Sequence, residues 1–100
     1  MITDFLYTLH SKTFKILPLY ETSSAEDYMI YVNNLKIELA GAMLTFPQLK
    51  YNNHYIDILN IINYLSQNIV DHETCKRQVF KCRDLIKKIE AEAEENDNVD

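Results

Sequence analysis

Backbone punctuation is scarce in this chain, which has one Gly and two Pro in 100 residues, together with two Cys and no Trp. A single glycine cannot build G-x-G-x-x-G or a P-loop, so those phosphate-cradling classes are excluded. So few breakers also argue against a β-sandwich, which needs one at nearly every turn. Two cysteines are too few for a disulfide scaffold. Placed on one helix, Cys75 and Cys82 would lie about 10 Å apart along its axis, beyond the span of a disulfide. The longest apolar run is five residues, 28–32, far short of the roughly 20 that cross a bilayer. The first residues carry Asp4, no basic stretch and no small-residue cleavage pattern, so no signal peptide is expected. The expectation is a soluble, reduced, cytoplasmic protein without a membrane span.

What is present is an ordinary globular balance, 47% hydrophobic and 25% charged, with a net charge of −5. The length suits one domain able to bury roughly two-thirds of its unfolded surface. Lysine outnumbers arginine eight to two, which reads as a compositional bias of the source and carries no functional inference.

The clearest element spans about 23–46. Ser23, Ser24, Ala25 and Glu26 form a capping-box pattern. Beyond it Ala25, Tyr28, Val32, Leu35, Leu39, Ala42 and Phe46 alternate spacings of three and four, and Pro47 stops the helix. A second apolar line, Ile30, Ile37 and Leu44, recurs every seven residues on the opposite face, with Met29 and Met43 beside it. A surface helix should be polar there. Gly41, between Ala40 and Ala42, sits inside this helix and suggests a close helix–helix approach.

A loop over 47–53 leads to a helix over about 54–68, with Asn52 or Asn53 as its cap. Its wide apolar arc leaves a polar stripe of Asp57, Asn60, Asn63 and Gln67, which marks a largely buried helix. A short link then places Asp71 as the cap of a final helix over 72–94, antiparallel to its neighbour. Its stripe is Cys75, Val79, Cys82, Ile86, Ile89 and Ala93. Residues 95–100 lack an apolar pattern and are expected to form a disordered acidic tail. The first 22 residues admit two readings: a helix on Ile2, Leu6, Leu9, Thr13, Ile16 and Tyr20 ending before Pro18, or a short β-hairpin in which Phe5, Tyr7 and Leu9 alternate, then Phe14 and Ile16, around a turn at His10, Ser11 and Lys12. The fold expectation is therefore an all-α antiparallel bundle of three long helices, a single domain over 1–94, completed by this N-terminal segment.

Candidate chemistry is thin. Lys76, Arg77, Lys81, Arg83, Lys87 and Lys88 make the last helix basic, as nucleic-acid phosphates require. The plainer account is a solvated face, with Asp84–Lys88 and Lys88–Glu92 pairs, each worth only about 0.2–0.5 kcal/mol. Cys75 stands in the first turn or so beside Lys76 and Arg77, a setting that lowers a thiol pKa and suits a thiol enzyme or redox protein. Against that, both cysteines fall on the apolar stripe, where free Cys acts as a small hydrophobe. His72, Glu73 and Cys75 are one cluster where a structural zinc needs two, so neither metal nor cofactor is expected. Glu26 and Asp27 are explained as helix N-terminal charge. No catalytic constellation stands out, and the protein is not expected to be an enzyme.

The tyrosines point elsewhere. Tyr20, Tyr31 and Tyr51 fall near loops or helix edges, where tyrosine commonly serves interfaces. With Ile30, Ile37 and Leu44 they sketch an interaction surface for another protein or for a homodimer. The plainer alternative is that the N-terminal segment covers this face as a fourth layer. The leading functional expectation is a small non-catalytic protein-interaction module. Its size, acidity and helical architecture are similar to those of small immunity or antagonist proteins of bacteria and phages, an analogy of fold and charge without a shared motif. A nucleic-acid-binding regulator and a Cys75-based thiol protein are the rivals.

Overall fold

The computed structural model describes residues 2–98, with side chains described through Glu95. Among the described residues the chain is all-α with no strand: α1 (Ile2–Phe14), α2 (Ile16–Thr22), α3 (Ala25–Thr45), a 3-10 turn (Pro47–Tyr51), α4 (Asn53–Gln67) and α5 (His72–Asn98). No helix among them is long and apolar enough to cross a membrane.

Residues 2–22 adopt the helical alternative and not the hairpin. Leu6, Leu9, Thr13 and Ile16 are the buried positions, one face of a helix. The break between α1 and α2 has a local cause. Pro18 offers no amide hydrogen to the Phe14 carbonyl, and its ring crowds that same oxygen. The Phe14 carbonyl therefore lacks its usual amide, while on either side of it the Lys15 amide donates to Ser11 at 3.2 Å and the Leu19 amide to Lys15 at 3.3 Å. The helix was expected to end before Pro18. It restarts across it because Pro18 stands in the first turn of α2, where amides have no intrahelical partner to lose.

The caps set the remaining boundaries. Ser24, rather than Ser23, caps α3, accepting the Asp27 amide at 3.1 Å. Ser23 is taken by the preceding helix, its hydroxyl donating to the Leu19 carbonyl. Pro47 forces Phe46 out of the helical region, to φ −123° and ψ 80°, and α3 stops. Asn52 caps α4 by accepting the Tyr55 amide, and Asp71 accepts the Thr74 amide at the start of α5. Helix α5 continues to Asn98, past Glu95 where fraying was expected. The Ala- and Glu-rich stretch 91–95 propagates the helix well, and no Gly or Pro intervenes before Asn98. Residues 99 and 100 of the expected tail lie outside the described residues.

Packing joins α3 to α4, α4 to α5 and α5 to α1, with α2 lodged against α3 and α5. The core between them contains Val32, Leu35 and Leu39 of α3, Ile58, Ile62 and Leu65 of α4, and Val79, Cys82 and Ile86 of α5. Leu49, from the 3-10 turn, closes one end. The N-terminal helices thus complete the core on the α5 side and leave the opposite side of α3 to solvent.

Candidate interaction surface

Helix α3 carries two apolar faces with different fates. Tyr28, Val32, Leu35, Leu39 and Ala42 are buried. On the other side Ile30, Ile37 and Leu44 are 53%, 59% and 79% exposed. The N-terminal segment does not form a fourth layer over them, because the Pro18 break and the α1 seam direct it onto α5. The three side chains lie along one line of a 21-residue helix. Asn33, Asn34, Ala40 and Gly41 are also exposed between them. Between Ile30 and Leu44 no residue on this line is charged, although Glu26 stands one turn before Ile30 on the same face. Beside it, a groove of about 410 Å³ is lined by Lys36, Ile37 and Ala40 of α3 and by Leu59, Asn60 and Asn63 of α4.

The tyrosines are not part of this face. Tyr20 is half-buried and donates to the Val70 carbonyl at 2.6 Å, tying α2 to the α4–α5 connection. Tyr31 donates to the Lys12 carbonyl at 2.8 Å, tying α3 to α1 beside the Lys12–Glu38 ion pair. Burial and the nearby Glu38 carboxylate raise the Tyr31 hydroxyl pKa. Both are struts between helices, made so by their long reach from half-buried positions. Tyr51 is 87% exposed. It lines a separate groove of about 380 Å³ with Ile2, Gln48, Ile89 and Glu92. Three of the six expected surface residues therefore fall together and three lie elsewhere.

Gly41 also departs from expectation. Its φ is not positive, and a Cβ built on it meets nothing within 4 Å, so no helix of this chain approaches it.

The basic side chains encircle the outer face of α5, with Lys76, Arg77, Lys81, Lys87 and Lys88 exposed. They do not form an unbroken cationic stripe. Glu73 and Asp84 share a shallow groove with Lys76, Arg77, Phe80 and Lys81. Arg83 lies over the Phe80 ring at 4.7 Å and near Phe14 at 5.9 Å, with Asp84 3.5 Å from its Nε. The expected Asp84–Lys88 and Lys88–Glu92 pairs are replaced. Asp84 pairs with Arg83, while Glu92 accepts from the Asn52 amide at 2.9 Å and pairs with His54 at 3.2 Å. That polar cluster at the foot of α4 was not foreseen, because its members are far apart in sequence. A matching pair, His72–Glu21 at 3.2 Å, stands at the start of α5.

Cys75 and Cys82 are fully buried. Burial raises the Cys75 thiol pKa, an effect that outweighs the hydrogen-bond partner Tyr28, whose hydroxyl lies 3.6 Å from Sγ. Burial pushes Cys82 up to about 12. Neither thiol is presented as a nucleophile in this conformation. Among the described residues no three His, Cys, Asp or Glu side chains converge as metal ligands.

A further exposed aliphatic, Ile69, went unread in the sequence because it sits in a connection without periodicity. It is 89% exposed. It lines an apolar slot of about 260 Å³ with Tyr20, Ala25, Tyr28 and Met29. Comparison with protein-family models, with curated proteins and with solved structures finds no significant match in any of the three.

Proposed function

We propose that this chain is a small, non-catalytic protein-interaction module whose contact surface is the outer face of α3. One observation carries the reading: Ile30, Ile37 and Leu44 are each more than half exposed and aligned on one helix face. Exposed aliphatics scattered singly need no explanation, whereas an aligned set is the pattern of a binding surface. Covering the exposed parts of these three side chains would release roughly 3–5 kcal/mol of hydrophobic free energy. Helix-in-groove and helix-on-helix recognition both use anchors at such spacings.

The functional analogy is to small immunity or antagonist proteins of bacteria and phages, which act by contact with another protein. On this reading the domain works in the cytoplasm, as an antiparallel bundle over 1–94, without cofactor or metal. Replacement of Ile37 by Glu tests the surface directly. Immobilised chain exposed to lysate of its source cells should retain a defined protein, or untagged copies of itself. Ile37→Glu should lose that species while keeping the wild-type circular dichroism spectrum and melting temperature. Equal retention by both chains, or retention by neither, overturns the reading.

A further inference from the structure

We infer that the outer face of α3 is closed by a second copy of this chain, packed antiparallel about a two-fold axis at Ile37; this rests on the contact surface proposed above and names its occupant.

The first support is Gly41. A glycine in a helix interior weakens the helix relative to alanine, so it needs a reason to be there. Here it has no positive φ, and among the described residues nothing beyond its chain neighbours and its own helix backbone lies within 4 Å of the Cβ it lacks. Missing side-chain volume on an exposed apolar face admits the close approach of another helix.

The second support is the reciprocity of the face about Ile37. Ile30 and Leu44 stand seven residues to either side, so an antiparallel copy sets each against the other. Three- and four-residue steps then bring Asn33 against Ala40 of the second copy, and Asn34 against its Gly41. Each small residue receives a larger one, and the match repeats on both sides of the axis. An isologous two-fold interface requires this property, because residue i meets j wherever j meets i. A parallel pair would instead bring the two flanks against each other, Gly41 beside Ala40 of the copy and Asn34 beside its Asn33, small against small with a gap.

The third support is charge. Two chains of −5 repel, yet between Ile30 and Leu44 the contact line carries no charged residue, and Glu26, one turn before Ile30, stands at its end. Lys36 and Glu38 sit about a quarter-turn to either side of Ile37, off the contact line. A partner of opposite charge is recognised through charged surface, and this face offers only Glu26 at its end and Lys36 at the α4 groove.

The size of the face sets the strength. The α3 helix is 21 residues, or roughly 31 Å, long. Together with its α4 flank it offers on the order of 600 Å² per copy, below the ~800 Å² of a standard stable interface. A face below the standard size suits a dimer that forms reversibly with concentration.

Sedimentation velocity of the full chain, from low to several hundred micromolar, reads this directly. The wild type should pass from monomer to dimer. Gly41→Leu and Ile37→Glu should weaken the dimer by about tenfold or more. Gly41→Leu should also melt no lower than wild type, because leucine favours the helix over glycine and the space around the missing Cβ is open. Disulfide trapping fixes the direction. The double variant Asn34→Cys/Gly41→Cys should form a covalent dimer under mild oxidation, and neither single variant should. A wild type that stays monomeric throughout overturns the inference. So do variants that dimerise like wild type, and single variants that cross-link to themselves. If the wild type is monomeric while Ile37→Glu still loses a captured foreign protein, the second copy is refuted and the contact surface stands. If neither depends on Ile37, both fail.

Discussion

Tyr55 and Thr13 stand at opposite ends of the polar accounting inside the core. The Tyr55 hydroxyl donates to the Leu39 carbonyl at 2.6 Å, whereas the buried Thr13 hydroxyl has no partner among the described residues. Tyr55→Phe should therefore cost about 1 kcal/mol in equilibrium denaturation. Thr13→Val should gain about 1 kcal/mol, since it removes an unpaired buried hydroxyl at almost constant shape; a loss would show that the hydroxyl is paired after all. Burial also sets the pH dependence. The hydroxyls of Tyr28 and Tyr55 are held well above their ordinary 10.0, and Cys82 moves from 9.0 to about 12. A raised folded-state pKa contributes stability that is full below the unfolded value and lost as pH rises through the folded one. Denaturation midpoints should thus be flat near neutrality and fall as pH rises above 9.0, where Cys82 in the unfolded chain first ionises. The opposite sign holds for Asp71, whose carboxylate is favoured by hydrogen bonds from Thr74, so its contribution is lost as pH falls below 3.8. Both thiols should resist a disulfide reagent in the native state and react only after denaturation. Burial of Cys75 was legible from its place on the α5 stripe. The partner of the Tyr31 hydroxyl was not, because it is a carbonyl 19 residues away on another element.

At the scale of the element, α3 shows where periodicity informs and where it stops. Spacing identified both apolar lines of this helix, but spacing is the same for a line that is covered and one that is not. Which line is buried depends on where the N-terminal segment goes, and that is decided by the Pro18 break and by packing on α5. The same segment illustrates a false alternation. Phe5, Tyr7 and Leu9 read as a strand, yet Tyr7 is 75% exposed and the buried positions keep helical spacing. Asn52 is the informative residue at an element boundary. It caps α4 through its carbonyl and holds Glu92 of α5 through its amide. Asn52→Ala should cost about 1–2 kcal/mol, more than a cap with one role, and chemical denaturation measures it. Gly41→Ala, measured dilute enough to stay monomeric, should gain about 0.5–1 kcal/mol. A loss there would mean that Gly41 serves the isolated chain.

At the scale of the whole molecule, the described chain is an elongated body of 48 × 23 × 19 Å. Its core lies between α3, α4, α5 and the N-terminal helices, and its net charge of −5 is spread unevenly. Basic residues surround α5 as far as Lys88 and acids follow from Glu90, while the outer face of α3 carries neither between Ile30 and Leu44. The central claim is that this uncharged apolar face lies outside the core and is kept for contact. Urea unfolding of the dilute Ile37→Glu variant tests that claim most directly. The account predicts a stability within about 0.5 kcal/mol of wild type, as for an exposed site. A loss of about 3 kcal/mol or more, the cost of a charge forced into a packed interior, would contradict it.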